Sequence, residues 1–274
     1  MTSFPYGVVR VVIMQNGFNR FGNFNNRSPL RTLVNPQEIR KSWRSGGPVI
    51  TGSIIVVCVA VWLIEIILRF LAPEAYMDFV FGGVVSPSLV LMNPWRIFTS
   101  MFLHSTNVLH VLFNMMALWS VGPLLERLMG HWQYCALYFI SGLGGAVGLT
   151  LWAVIEPAPG WYTYALGASG AIFGLFGAVM VVFRRVGADI RPMLIWIGIN
   201  FLMPFVISGI AWQAHVGGFV TGIALTELLT NGIPRLKRKS VATRMWIYGG
   251  FIVAALIVIL VLCNMSNPRL NLSL

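Results

Sequence analysis

After residue 48 the chain alternates long apolar runs with short polar breaks. Seven runs, near 50–71, 106–126, 132–155, 165–184, 191–209, 211–229 and 245–263, each approach the ~20 residues a helix needs to cross hydrocarbon. The pattern predicts seven transmembrane helices. The first and last are plainly hydrophobic, whereas the second, fourth and sixth carry Gly, Ser, His and Asn among their apolar residues. Polar side chains are costly inside a bilayer, so chemistry is expected on those three.

Composition agrees with this reading. Of 274 residues 57% are hydrophobic and 10% charged, against about 25% charged in an ordinary soluble chain. A water-soluble enzyme is excluded, and the mean hydropathy of +0.78 fits a polytopic membrane protein.

The net charge of +11 reports topology. With the amino terminus in the cytoplasm, sixteen of the 19 Lys and Arg residues lie inside, leaving Arg69, Arg96 and Arg269 outside. That bias places the carboxyl terminus outside and accounts for the basic charge without nucleic acid. Residues 1–48 read as a basic, disordered cytoplasmic tail. A transit peptide is also basic and acid-poor, but this segment is not rich in serine. Residues 231–244 form a basic cytoplasmic loop, and 245–274 hold the seventh helix with a short external end. The segment 72–105 is the longest external connection, expected to lie on the bilayer surface, and long ordered loops are often functional.

Cys58, Cys135 and Cys263 sit in apolar runs without metal-type spacing and read as packing residues. Glu65 precedes Arg69 by four positions, the favourable order for an ion pair near the outer end of the first helix.

Four further polar residues converge. His110 and Asn114 share a face of the second helix, Ser169 begins the fourth and His215 lies early in the sixth. At ~1.5 Å per residue from the inner ends, Asn114, Ser169 and His215 stand ~20, ~24 and ~21 Å up, which are matched depths in the outer half of the core. The fourth and sixth helices run in the same direction. Gly170, Gly174 and Gly177 on one, with Ala214, Gly218 and Gly222 on the other, let the two backbones approach closely and bring Ser169 toward His215.

This inventory points to acyl transfer. A serine hydroxyl becomes a useful nucleophile when a neutral imidazole takes its proton, and the oxyanion that follows needs fixed donors. Ser169 and His215 supply the first pair. His110, Asn114 and the backbone N–H groups opening the fourth helix supply the donors. With no embedded carboxylate as a third member, a dyad is expected. Other membrane chemistries lack their residues: no His is followed by Glu as H-E-x-x-H requires, Asp78 and Asp189 lie in loops, and Gly167-Ala168-Ser169-Gly170 is followed by Ala171, which breaks G-x-S-x-G.

At this point residues 50–230 resemble the rhomboid intramembrane serine proteases. Gly167-Ala168-Ser169-Gly170, running into Ala171-Ile172-Phe173-Gly174, is similar to the family's nucleophile motif. Ala214-His215-Val216-Gly217-Gly218 with Gly222 is similar to its histidine motif, and His110-Val111-Leu112-Phe113-Asn114 to its H-x-x-x-N motif. Trp95-Arg96 resembles the pair in the first external loop, and Gly122, Glu126 and Gly130 the structural G-x-x-x-E-x-x-x-G element. The resemblance implies Ser169 as nucleophile, His215 as general base and acid, and His110 with Asn114 as oxyanion donors. It implies an all-α polytopic membrane protein, with a rhomboid-like six-helix bundle over 49–230 and one additional C-terminal transmembrane helix. A bacterial plasma-membrane protein is implied, since the mitochondrial type carries its extra helix at the other end.

The implied substrates are single-pass membrane proteins with unstable helices near the outer face, and the chemistry calls for no cofactor or metal. Two departures stand out. His104 precedes His110 by six residues, one more than the family's spacing, and Phe173 stands where some members have a tyrosine stacked on the catalytic histidine. The rival reading is an inactive rhomboid-like protein that binds membrane helices without cleaving them, against which Ser169 and His215 both speak. A transporter is disfavoured because the polar residues cluster in the outer part instead of at mid-membrane.

Overall fold

The computed structural model describes residues 35–191, 194–195, 197–199, 201 and 211–271. Among these the secondary structure is helical apart from one isolated bridge between Val85 and Ala165. The fifth expected span, 191–209, falls largely outside the described residues, as does most of the tail.

We number the principal helices α1 (Pro36–Arg44), α2 (Val49–Leu71), α3 (Pro73–Gly83), α4 (Val108–Met129), α5 (His131–Ile155), α6 (Ser169–Val186), α7 (Trp212–Asn231) and α8 (Val241–Asn264). Five of them, α2, α4, α5, α6 and α8, are long and apolar enough to cross a membrane, so the protein is a multi-pass membrane protein. α7 has sufficient length, with 20 residues, but Gln213, His215, Thr221, Thr226 and Thr230 lower its hydropathy. Its most extensive packing is against α5 and α6, so it has less need of an apolar surface.

Burial orders the helices. In its most apolar stretch α6 buries 61% of its residues and α2 only 17%, so α6 is central and α2 peripheral. α5, α6 and α7 form the inner group. α2 exposes Val56, Val57, Leu63, Ile64, Ile67 and Phe70 along its outer face, as a lipid-facing helix must.

Glycines set the tightest contacts. A Cβ built on Gly174 would lie 2.9 Å from the Gly218 carbonyl oxygen, and one on Gly222 would collide with the Gly174 carbonyl. The small-residue stripes of α6 and α7 therefore meet backbone to backbone, as their spacing predicts.

Four local features differ from expectation. The tail ends in a helix, α1, because Asn35 caps it by accepting the Gln37 N–H (3.0 Å) and Pro36 occupies its first turn. The loop 72–105 contains α3 and a short helix, Arg96–Thr99. α8 starts at Val241, inside the expected loop, and Arg244 is buried where it donates to the Leu229 carbonyl.

The fourth is a correction: Glu65 does not pair with Arg69. The Glu65 carboxylate is fully buried and accepts the His104 N–H (3.1 and 3.3 Å), while Arg69 donates to Thr106 Oγ1 (2.8 Å) and lies over the Tyr76 ring. A buried backbone donor 39 positions away is a stronger claim on a carboxylate than an exposed neighbour on the same helix.

At the opposite end of the bundle Glu126 does what its motif predicts. It is buried and accepts from Ile50 N (2.7 Å), Thr51 N (2.9 Å), Thr51 Oγ1 (2.7 Å) and His131 Nδ1 (2.6 Å), tying the start of α2 to the α4–α5 corner. His131 in turn stacks on Trp43 (4.0 Å) and hydrogen-bonds its carbonyl (2.9 Å), which seats α1 on that corner.

Candidate active site

Ser169 is the first residue of α6 and His215 lies in the first turn of α7. Because the two helices touch along their glycines, the side chains meet: Ser169 Oγ is 2.8 Å from His215 Nε2. His215 is buried, whereas Ser169 is half-buried. Among the described residues no side chain bonds His215 Nδ1. The pair therefore stands as two members, without a carboxylate behind the imidazole.

Phe173, one turn along α6, lies parallel to the His215 ring at 4.3 Å and 11°. Phe201 packs edge-on against Phe173 at 4.8 Å. An aromatic face thus holds the imidazole flat without a hydroxyl on the ring.

The chain entering α6 is pinned in place. Val85 and Ala165 exchange two backbone hydrogen bonds (3.1 and 2.8 Å), and the Gly167 N–H donates to Ser100 O (2.8 Å). Gly167 has φ +120°, which favours glycine, and a Cβ there would lie 3.0 Å from His110 Nε2 and 3.8 Å from Ser169 Oγ. His110 Nε2 and the Ser169 hydroxyl thus border one small space. α6 starts at Ser169, and the first N–H groups of a helix have no intrahelical acceptor.

His110 receives the Ser105 backbone N–H at Nδ1 (3.2 Å), with Ser105 Oγ 3.0 Å from the same nitrogen. Asn114 is buried one turn below and spends one amide hydrogen on the His110 carbonyl (2.8 Å). His104 is buried beside His110 with ring centroids 5.4 Å apart, and its Nδ1 meets Phe102 O (3.1 Å). Burial, with His110 beside it, holds the His104 imidazole down to about 4, although the Phe102 carbonyl works in the other direction, so it is neutral at physiological pH.

Ser169, His215, His110 and Asn114 lie on the helices expected of them, and the structure adds Ser105 and the Gly167 backbone beside them. Serine in a loop carries no periodic signal. Gly167 stands in the Gly167-Ala168-Ser169-Gly170 run, but its φ of +120° is a property of the folded chain. The cysteines are free: Cys58 is buried with its sulfur 3.9 Å from Met101 O, and Cys135 and Cys263 are partly buried.

The fold and this arrangement define a helical membrane protein with a serine–histidine pair set in its interior. Residues 92–232 match the rhomboid domain, half of the chain, and the chain belongs to the rhomboid family. It is 33% identical over 162 residues to the rhomboid protease GluP of Bacillus subtilis (strain 168), covering 56% of this chain and 29% of GluP. To the putative rhomboid protease YdcA of the same organism it is 38% identical over 139 residues, covering 49% of this chain and 66% of YdcA. To the rhomboid protease AarA of Providencia stuartii it is 27% identical over 220 residues, covering 70% of this chain and 77% of AarA. The chain thus spans under a third of GluP and about two thirds of YdcA.

Proposed function

We propose that the protein is an intramembrane serine endopeptidase working through a Ser169–His215 dyad. The observation that carries this reading is the 2.8 Å contact between Ser169 Oγ and His215 Nε2, held by a glycine seam that leaves the two groups little room to separate. His215 Nε2 takes the Ser169 proton as the hydroxyl oxygen attacks the scissile carbonyl carbon. The oxyanion forms beside His110 Nε2, with the second amide hydrogen of Asn114 and the N–H groups opening α6 proposed as further donors. His215 then passes its proton to the departing amine, and water, with His215 again as base, releases the acyl group from Ser169.

The substrates proposed are single-pass membrane proteins whose helices unwind near the outer face. The positive charge of the inner segments supports a cell-membrane protein with its amino terminus in the cytoplasm and its carboxyl terminus outside. A serine-reactive fluorophosphonate tests the mechanism without knowledge of the substrate. It is expected to label wild type and not Ser169→Ala, and Ser169→Ala or His215→Ala should abolish cleavage of a tagged single-pass protein while the variant still accumulates in the membrane. Undiminished cleavage by purified Ser169→Ala protein sinks the dyad, whereas wild-type protein that neither cleaves nor takes the label leaves the helix-binding, non-cleaving reading.

A further inference from the structure

The peripheral helix α2 reaches the active site through one face. Trp62, Glu65 and Arg69 are spaced three and four apart and so lie on one stripe. They hold three consecutive residues of the segment before α4. Trp62 Nε1 donates to Ser105 O (3.2 Å), Glu65 accepts the His104 N–H (3.1 and 3.3 Å), and Arg69 Nη1 donates to Thr106 Oγ1 (2.8 Å). Ser105 sits at the centre of this strap, and its own N–H points at His110 Nδ1 (3.2 Å).

A backbone N–H can only donate. The nitrogen it faces must therefore carry a lone pair, and in a neutral imidazole the proton then resides on the other nitrogen. For His110 that other nitrogen is Nε2, the one bordering the space above Ser169 and Gly167. Ser105 Oγ, 3.0 Å from Nδ1, donates to the same lone pair. The opposite tautomer would set an N–H of the ring against the N–H of the backbone.

We infer that Glu65 is a positioning residue for the oxyanion donor: by holding the 104–106 strap it keeps Ser105 N–H on His110 Nδ1 and so fixes His110 as the Nε2–H tautomer aimed at the oxyanion. This rests on the oxyanion role of His110 proposed above. Glu65 touches no reacting atom. Its carboxylate is fully buried 39 positions from the backbone group it accepts, which a surface ion pair would not require.

Nitrogen-15 NMR of the full-length, histidine-labelled protein in lipid bilayers reads the tautomer directly, with His110 assigned by its loss in His110→Gln. Wild type should show a protonated Nε2 and a bare Nδ1, and a dominant Nδ1–H form overturns the inference whatever the variants do. Glu65→Leu should lower kcat roughly ten- to thirty-fold, part of the 10²–10³ lost when an oxyanion donor is removed outright, with KM within about twofold. Glu65→Gln, whose amide oxygen accepts the same N–H, should recover most of that loss. Wild-type kcat in Glu65→Leu, or equal damage in both variants, also overturns it. Failure of the dyad would appear separately, as cleavage surviving Ser169→Ala, since the tautomer is measured without substrate.

Discussion

The α6–α7 seam and the α2–strap contact both lead to the neighbourhood of Ser169 and His110, by opposite means. Along the seam two backbones meet through glycine, and the Ser169–His215 contact follows from where the helices are. Between α2 and the strap the backbones stay apart, and three long side chains bridge the gap. A backbone contact has no rotamers to adjust, so its loss should be abrupt. A side-chain contact can be loosened by degrees, so its loss should be graded. The comparison teaches that the Ser169–His215 contact is fixed by the fold itself, while the surroundings of His110 are held from a peripheral helix.

The harshest test is Gly218→Val. A Cβ there collides with the Gly170 carbonyl, so α7 must move away from α6 and carry His215 with it. Overpacking of this kind costs about 1–3 kcal/mol or more, and cleavage should fall by at least roughly a hundredfold. A Gly218→Val protein with wild-type turnover would show that the seam does not set the dyad.

Glu126→Ala should act on stability instead. It strips the partner from the Ile50 and Thr51 N–H groups and from His131 at the end of the bundle remote from the dyad. Each donor left unsatisfied costs about 1–3 kcal/mol, so thermal inactivation in detergent should begin several degrees lower while kcat of the folded fraction is unchanged. A lowered kcat at full fold would tie this corner to the site.

The mildest is Phe173→Leu, which keeps an apolar side chain and removes the parallel ring beside His215. A stacked pair is worth about 0.5–1.5 kcal/mol, hence a roughly two- to tenfold loss in kcat, which Phe173→Tyr should not show.

Much of this was legible before any coordinates. The helices follow from apolar runs near membrane thickness, and the seam follows from small residues every four positions. The end of α6 at Gly187, in the left-handed region at φ +66°, is a familiar helix stop. What escaped depended on partners far along the chain. Local spacing assigned Glu65 to Arg69, but the aperiodic segment before α4, 39 positions away, delivered the His104 N–H to it. α1 escaped because nine residues give fewer than three turns over which a period could be read, and none of them is buried. Its seat on His131 could not be guessed from a histidine without a neighbouring motif.

The amino-acid sequence by itself determined that the chain lies in a membrane, where its long apolar helices α2, α4, α5, α6 and α8 run to within a few residues, and which hydroxyl and imidazole are expected at one depth, because hydrocarbon thickness and helical rise convert residue count into height. Only the tertiary structure decided which nitrogen of His110 faces Ser169 and which carboxylate holds the strap. Those choices are made by backbone donors brought together from distant parts of the chain, and a donor's direction exists only once the chain has folded.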